Sequence, residues 1–231
     1  MSKKSWIIFI VITVGILIAL VAFSGGSSID VSKVDVNTVQ KANSQNGNIA
    51  DHVFGNVNSK VTLIEYGDFQ CQPCGAIYPI VKSITNQYTN QLQFVFRNFP
   101  IADLHQNAKA AAASAEAAGL QGKYWQMHDQ LYTAQSDWSE LSINDRTKFF
   151  DNLAKQLDLN LKKFDSDMSS TQVSNKISYD IALGTKAGVD GTPTFFLNGK
   201  KLDGKTDFSS ESNFKNTINT ALKKAGILPP Q

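Results

Sequence analysis

Cysteine and histidine are almost missing from this chain: its 231 residues hold two of the first and three of the second. Two cysteines exclude a small fold stapled by several disulfides, and three histidines leave few ligands for a metal centre. Charge of one sign is scarce too, since no block of five or more like charges occurs and 22 basic residues against 20 acidic ones leave a net +2. The electrostatic footprint of a nucleic-acid binder is absent, and no nucleic-acid partner is expected. What is present is globular material, 42% hydrophobic and 18% charged, enough for one well-buried domain of about 150 to 200 residues with extensions.

The two cysteines stand three positions apart, in Glu65-Tyr66-Gly67-Asp68-Phe69-Gln70-Cys71-Gln72-Pro73-Cys74. Random placement would give this spacing in about one pair in a hundred, so the pair calls for a chemical explanation. The spacing by itself fits a redox pair or half of a metal site.

One long apolar run exists, Trp6 to Phe23, without a charge. As a helix it covers about 27 Å, close to the hydrocarbon thickness of a bilayer. Lys3 and Lys4 precede it, and the next charges are Asp30 and Lys33. Residues 1–5 are therefore expected in the cytoplasm, 6–23 as an uncleaved transmembrane signal-anchor, and the remainder on the extracytoplasmic side. A cleaved signal peptide is the competing reading, with Ala22 and Ser24 as small residues before a cut, but its apolar segment is usually only about 7 to 15 residues. No cysteine stands just after the run, which excludes lipid attachment there. Either way the domain lies where disulfides persist. Residues 24–48, rich in Ser, Gly, Asn and Gln with scattered valines, are expected as a flexible linker spanning about 25 to 30 Å.

Val61 to Tyr66 is a β-branched apolar run that predicts a buried strand, broken by Gly67 and Asp68. Beyond the cysteines, Ile77, Ile80, Val81, Ile84 and Tyr88 recur at helical spacing around Pro79, and residues 91–99 predict a second strand. Strand, helix and strand make a βαβ unit with parallel pairing. From about Asp103 to Gly188 the pattern is helical: an alanine-rich stretch at 108–120, an aromatic stripe at Tyr124, Trp125, His128, Leu131 and Tyr132, and further helices around Phe149–Leu157 and Val173–Ile181. The stripe reads as packing rather than a cofactor box. Thr194 to Leu197, then Asn198-Gly199, predict a hairpin, and Phe214, Ile218 and Leu222 a final helix over about 210–224. The expected fold is α/β, with a mixed sheet and helices on its faces.

A cysteine pair at the start of a helix sits among unpaired backbone N–H groups and the positive end of the helix dipole, both of which stabilise a thiolate. Cys71 is the nearer to that end, and Cys74, one turn on, is the more buried partner that closes or resolves a disulfide. A stabilised thiolate also stabilises the reduced form, which makes the disulfide a stronger oxidant. Glu65, in the buried strand, is a candidate proton acceptor whose pKa desolvation would raise, or else a paired strand residue. Zinc would need two more ligands from His52, His105, His128 or carboxylates, and the histidines lack paired spacing. A purely structural disulfide would close too small a loop to stabilise much.

These residues resemble the DsbA-like thiol–disulfide oxidoreductases of the thioredoxin superfamily, in their membrane-tethered bacterial and archaeal form. The resemblance runs from about Ala50 to Ile227 and is carried by residues 61–74, by Phe96-Arg97-Asn98-Phe99-Pro100, by residues 121–129 and by Gly191-Thr192-Pro193-Thr194. It implies a thioredoxin-like fold over 49–102 and 189–231 with a helical domain inserted at 103–188. It further implies Cys71 as nucleophile, Cys74 as resolving thiol, Glu65 as the buried acid, Pro193 as a cis-proline facing the disulfide, and Thr192 shaping the thiolate's surroundings. No cofactor beyond the Cys71–Cys74 disulfide is expected. Expected partners are reduced or unfolded exported proteins and a quinone-linked membrane reoxidase of the DsbB or VKOR type, with the chain itself a monomer. Gln72-Pro73 departs from the Pro-His of strongly oxidising relatives, which leaves a reductase or isomerase as the nearest alternative and a non-catalytic binding module as the next.

Overall fold

The computed structural model describes residues 29–230. The expected cytoplasmic segment, the anchor and the first linker residues lie outside them. Among the described residues no helix is long and apolar enough to cross a membrane.

Five strands form one sheet in the order β1-β3-β2-β4-β5: β1 Val53–Gly55, β2 Thr62–Gly67, β3 Gln93–Asn98, β4 Thr194–Leu197 and β5 Lys200–Lys201. β2 and β3 run parallel, with Glu65 opposite Phe96, and the remaining pairs are antiparallel. Parallel neighbours need a crossover, and helix α1, Gln72–Gln87, supplies it with Pro79 inside it. β2 and β3 are buried almost throughout, because helices and a chain segment cover both faces. Leu63, Phe94, Phe96 and Phe195 share one core with Cys74, Val81 and Ile84 of α1. The hairpin forms at Asn198-Gly199, where both residues take positive φ, 48° and 80°, as a two-residue turn of this hand requires.

Between β3 and β4 come α2 Ala108–Gly119, α3 Tyr124–Thr133, α4 Gln135–Trp138, α5 Ile143–Gln156, α6 Leu161–Met168 and α7 Thr171–Lys186, and after β5 comes α8 Glu211–Lys224. Residues 108–118 of α2 are buried at all but two positions, since a methyl side chain lets α3, α6 and α7 approach its backbone closely. Side-chain oxygens of Ser142, Asn160, Ser170 and Ser210 cap α5, α6, α7 and α8, satisfying first-turn N–H groups. The stripe on α3 packs as expected: Trp125 meets Phe54 and Phe94, and His128 meets Phe69 and Phe96. The helices and the sheet belong to one compact unit that begins at Val31.

The linker expectation is corrected for residues 31–48, which lie against that unit. Lys186 donates to the carbonyls of Val31, Ser32 and Val34 at 2.9, 2.7 and 2.8 Å, and Arg97 donates to those of Val36 and Thr38 at 2.6 Å each. Gly47, at φ 63°, crosses α7 so closely that a Cβ would stand 2.0 Å from the Gln172 carbonyl oxygen. Arg97 in turn meets Asp51 at 2.8 Å, and Lys176 of α7 bridges Asp51 at 3.0 Å and Asp180 at 2.6 Å, all without solvent contact. Burial works against the Asp51 charge, but Lys176 and Arg97 outweigh it and hold the carboxyl well below the usual range. A strap without an apolar pattern is thus fixed by two cations that reach its backbone, the buried Arg97 and the exposed Lys186.

Candidate active site

β2 ends at Gly67, where a Cβ would lie 2.3 Å from the Phe96 ring, and the chain turns through Asp68, Phe69 and Gln70 into α1. Cys71 is the N-cap of that helix, in extended conformation and with no side-chain capping bond, so its sulfur is free to face the first turn. Pro73 has no N–H to offer there and fits the fixed φ of a helix start. Cys71 is 5% exposed and Cys74 fully buried, and both are free thiols.

The environments of the two thiols drive them apart. Hydrogen bonding from the Cys74 thiol, helped by the Cys74 backbone N–H, outweighs burial and brings the Cys71 pKa down to about 6. At pH 7 such a group is about nine-tenths thiolate, against about 3% for an unperturbed cysteine. Burial, the bond it gives to Cys71 and the charge of Glu65 push Cys74 far above the ordinary thiol range. Glu65 points to the α1 side of the sheet, where burial and then the Cys71 charge raise it to about 8. It is therefore largely a neutral acid at pH 7, able to give and take a proton beneath Cys74.

Thr192 and Pro193 arrive from the other end of the chain. β4 pairs antiparallel with β2, Thr194 opposite Tyr66, and this register sets the preceding residues over the cysteines. The Thr192–Pro193 peptide is cis, and Cys71 Sγ, while it keeps its proton, donates to the Thr192 carbonyl at 3.3 Å. The Thr192 hydroxyl is buried with no bonded partner in the dithiol form. Cys71, Cys74, Glu65 and Thr192 are thus one cluster, with Pro193 adjoining it.

Other residues at this place carry no sequence signal. Gln135 of α4 donates from Nε2 to the carbonyls of Phe69 and Cys71 at 2.7 and 2.9 Å, and Gly75 leaves room for its amide. Gln70 donates to Ser139 O at 2.6 Å and accepts from Asn107 N–H at 2.7 Å. The inserted helices therefore hold the cysteine turn from behind. The histidines are engaged with carboxylates: His52 with Glu116, His105 with Asp68 and His128 with Asp129. Among the described residues no group of three or more His, Cys, Asp or Glu gathers as metal ligands would.

A cysteine pair heading the first crossover helix of such a sheet is the arrangement of the thiol–disulfide oxidoreductase class. Residues 47–219 match the thioredoxin family described as "Thioredoxin"; the chain belongs to that family, and its fold is the DsbA-like one. A thioredoxin-like oxidoreductase from Silicibacter pomeroyi DSS-3 is 27% identical, with a TM-score of 0.61 over 75% of this chain and 92% of that one. BdbD from Bacillus subtilis, oxidised, is 20% identical, with a TM-score of 0.66 over 80% and 98%. Wolbachia pipientis α-DsbA1 is 22% identical, with a TM-score of 0.66 over 76% and 92%. Among curated relatives, Na(+)/H(+) antiporter NhaA 1 of Salinispora arenicola is 38% identical over 162 residues, which is 70% of this chain and 24% of that protein. The chain thus spans about a quarter of the length of the antiporters it matches.

Proposed function

We propose that this protein is an extracytoplasmic, membrane-anchored thiol–disulfide oxidoreductase that donates disulfides to exported proteins. A substrate thiolate attacks Sγ of Cys71 in the Cys71–Cys74 disulfide; the S–S bond breaks, and the Cys74 sulfur leaves with a proton from Glu65. A second substrate thiolate then attacks the substrate sulfur of the mixed disulfide and expels Cys71 as a thiolate. The substrate gains a disulfide, its two electrons rest on the enzyme dithiol, and a quinone-linked membrane partner of the DsbB or VKOR type removes them. The observation that carries this direction is the stabilised Cys71 thiolate, held by the Cys74 thiol and backbone N–H. It favours the dithiol and makes the disulfide the more readily spent form.

Gln72 and Pro73 supply no cation to the thiolate, which keeps a reductase or isomerase as the second reading. The antiporter activity belongs to proteins of which this chain matches a quarter, and the described residues offer no membrane-crossing helix to support it. The test is oxidation of a reduced, unfolded two-cysteine protein by the stoichiometric disulfide form. Transfer of one disulfide per enzyme supports donation. Retention of the enzyme disulfide beside reduced substrate contradicts it.

A further inference from the structure

Asp68 belongs to the cysteine turn, yet the exchange steps make no use of it. Its side chain is fully buried and holds three donors: Gln70 N–H on Oδ1 at 2.8 Å, and on Oδ2 both Ile101 N–H at 2.8 Å and Nδ1 of His105 at 2.7 Å. Its backbone carbonyl accepts the Cys71 N–H at 3.1 Å, so the carboxylate lies at the base of the reactive residue. A carboxylate has no hydrogen to give, so Nδ1 of His105 carries one whether the ring is neutral or charged. Protonation then falls to Nε2, and the His105 side chain is 23% exposed, which gives it access to solvent.

The negative charge of Asp68 works against a thiolate at Cys71, as like charges do. A positive ring on the far side of Asp68 opposes that effect. Neither residue between the cysteines can carry such a charge. His105 comes from the β3–α2 loop, 34 residues further along the chain than Cys71.

We propose that His105 is a positioning residue for Cys71: its ring orients the Asp68 carboxylate and, on protonation, cancels the charge that Asp68 presents to the Cys71 sulfur. This rests on Cys71 being the exchanging thiol. The other titratable or charged groups on the surrounding elements are Glu65 on β2, Cys74 on α1, Tyr132 of α3, whose hydroxyl donates to Asp68 O at 3.5 Å, Asp103 in the same loop, and Arg146 of α5, which donates to Asn107 Oδ1 at 2.9 Å.

Thiolate titrations test this. The Cys71 thiolate is followed by absorbance at about 240 nm in wild type, His105→Gln, Asp68→Asn and the double variant, each shown by circular dichroism to keep the wild-type fold. The expected results are a Cys71 pKa raised by about half a unit in His105→Gln and lowered in Asp68→Asn, with the double variant following Asp68→Asn. A Cys71 pKa unmoved by His105→Gln overturns the proposal, as does a double variant that keeps the full His105→Gln rise. The titrations use no substrate, so a His105 effect without substrate oxidation would overturn the proposed function alone, and substrate oxidation without a His105 effect would overturn His105 alone.

Discussion

The sulfur of Cys71 and the carbonyl oxygen of Thr192 lie 3.3 Å apart, joined by a hydrogen bond between residues 121 positions distant in sequence. The antiparallel register of β4 against β2 creates this contact, and it places the Cys71 thiol between the first turn of α1 and the backbone ahead of Pro193.

Because the Cys74 thiol is the foremost stabiliser of the Cys71 thiolate, Cys74→Ala should raise the Cys71 pKa from about 6 toward the ordinary value near 8.5. The thiolate absorbance of the reduced variant against pH measures it. Cys74→Ser keeps a hydroxyl donor and should shift less, while trapping the mixed disulfide with a substrate.

Glu65 gives a signed pH dependence. Its folded pKa of about 8 stands above the ordinary glutamate value of 4.5, so its contribution to stability is full below about 4.5 and is lost as pH rises to about 8 and beyond. Cys71 runs the other way in the dithiol form: its depressed pKa contributes stability above about 9 that is lost as pH falls to about 6. Glu65→Gln should therefore stabilise the reduced protein at pH 8 to 9 relative to wild type. It should also slow release of Cys74 from the disulfide by about 100-fold or more, for want of a proton donor. Urea unfolding at several pH values and stopped-flow reduction check the two parts.

The buried cluster predicts a coupled loss. Asp51→Ala leaves Arg97 and Lys176 facing one another inside the protein, a change that costs about 3 to 5 kcal/mol when one partner of a buried pair is removed. The strap at 31–48 should become open to proteases under native conditions, since Arg97 also holds the carbonyls of Val36 and Thr38. Chemical denaturation and limited proteolysis report the two effects.

Gln135→Ala should cost about 1 to 3 kcal/mol, because it strips the amide donor from two buried carbonyls, Phe69 O and Cys71 O. With the turn loosened, the Cys71 pKa should rise as well. Gln135→Glu, which keeps the shape but removes the donors when ionised, should not restore either value.

Much of this frame could be read from residue patterns. The run at 61–66, the helical spacing after Cys71, Asn198-Gly199 and the apolar face of α8 are local signals, and each became the element it predicted. Three kinds of feature had no such signal. β1 and α4 are three and four residues long, too short for any period to show. The strap at 31–48 is held through its carbonyls by Arg97 and Lys186, an interaction blind to the strap's own side chains. Gln135 and His105 reach the cysteine turn only once the inserted helices and the β3–α2 loop fold back, and single polar residues carry no spacing to betray that. The positions that resemblance assigned, Glu65, Cys71, Cys74, Thr192 and Pro193, are the ones tied to the sheet and its crossover helix.

The most direct measurement is the reduction potential of the Cys71–Cys74 pair, by equilibration with glutathione buffers at pH 7. Disulfide donation by this pair predicts a potential at or above about −180 mV, in the oxidising range, toward which the stabilised Cys71 thiolate contributes. A value near the thioredoxin potential of about −270 mV would contradict disulfide donation and assign the pair to reduction instead.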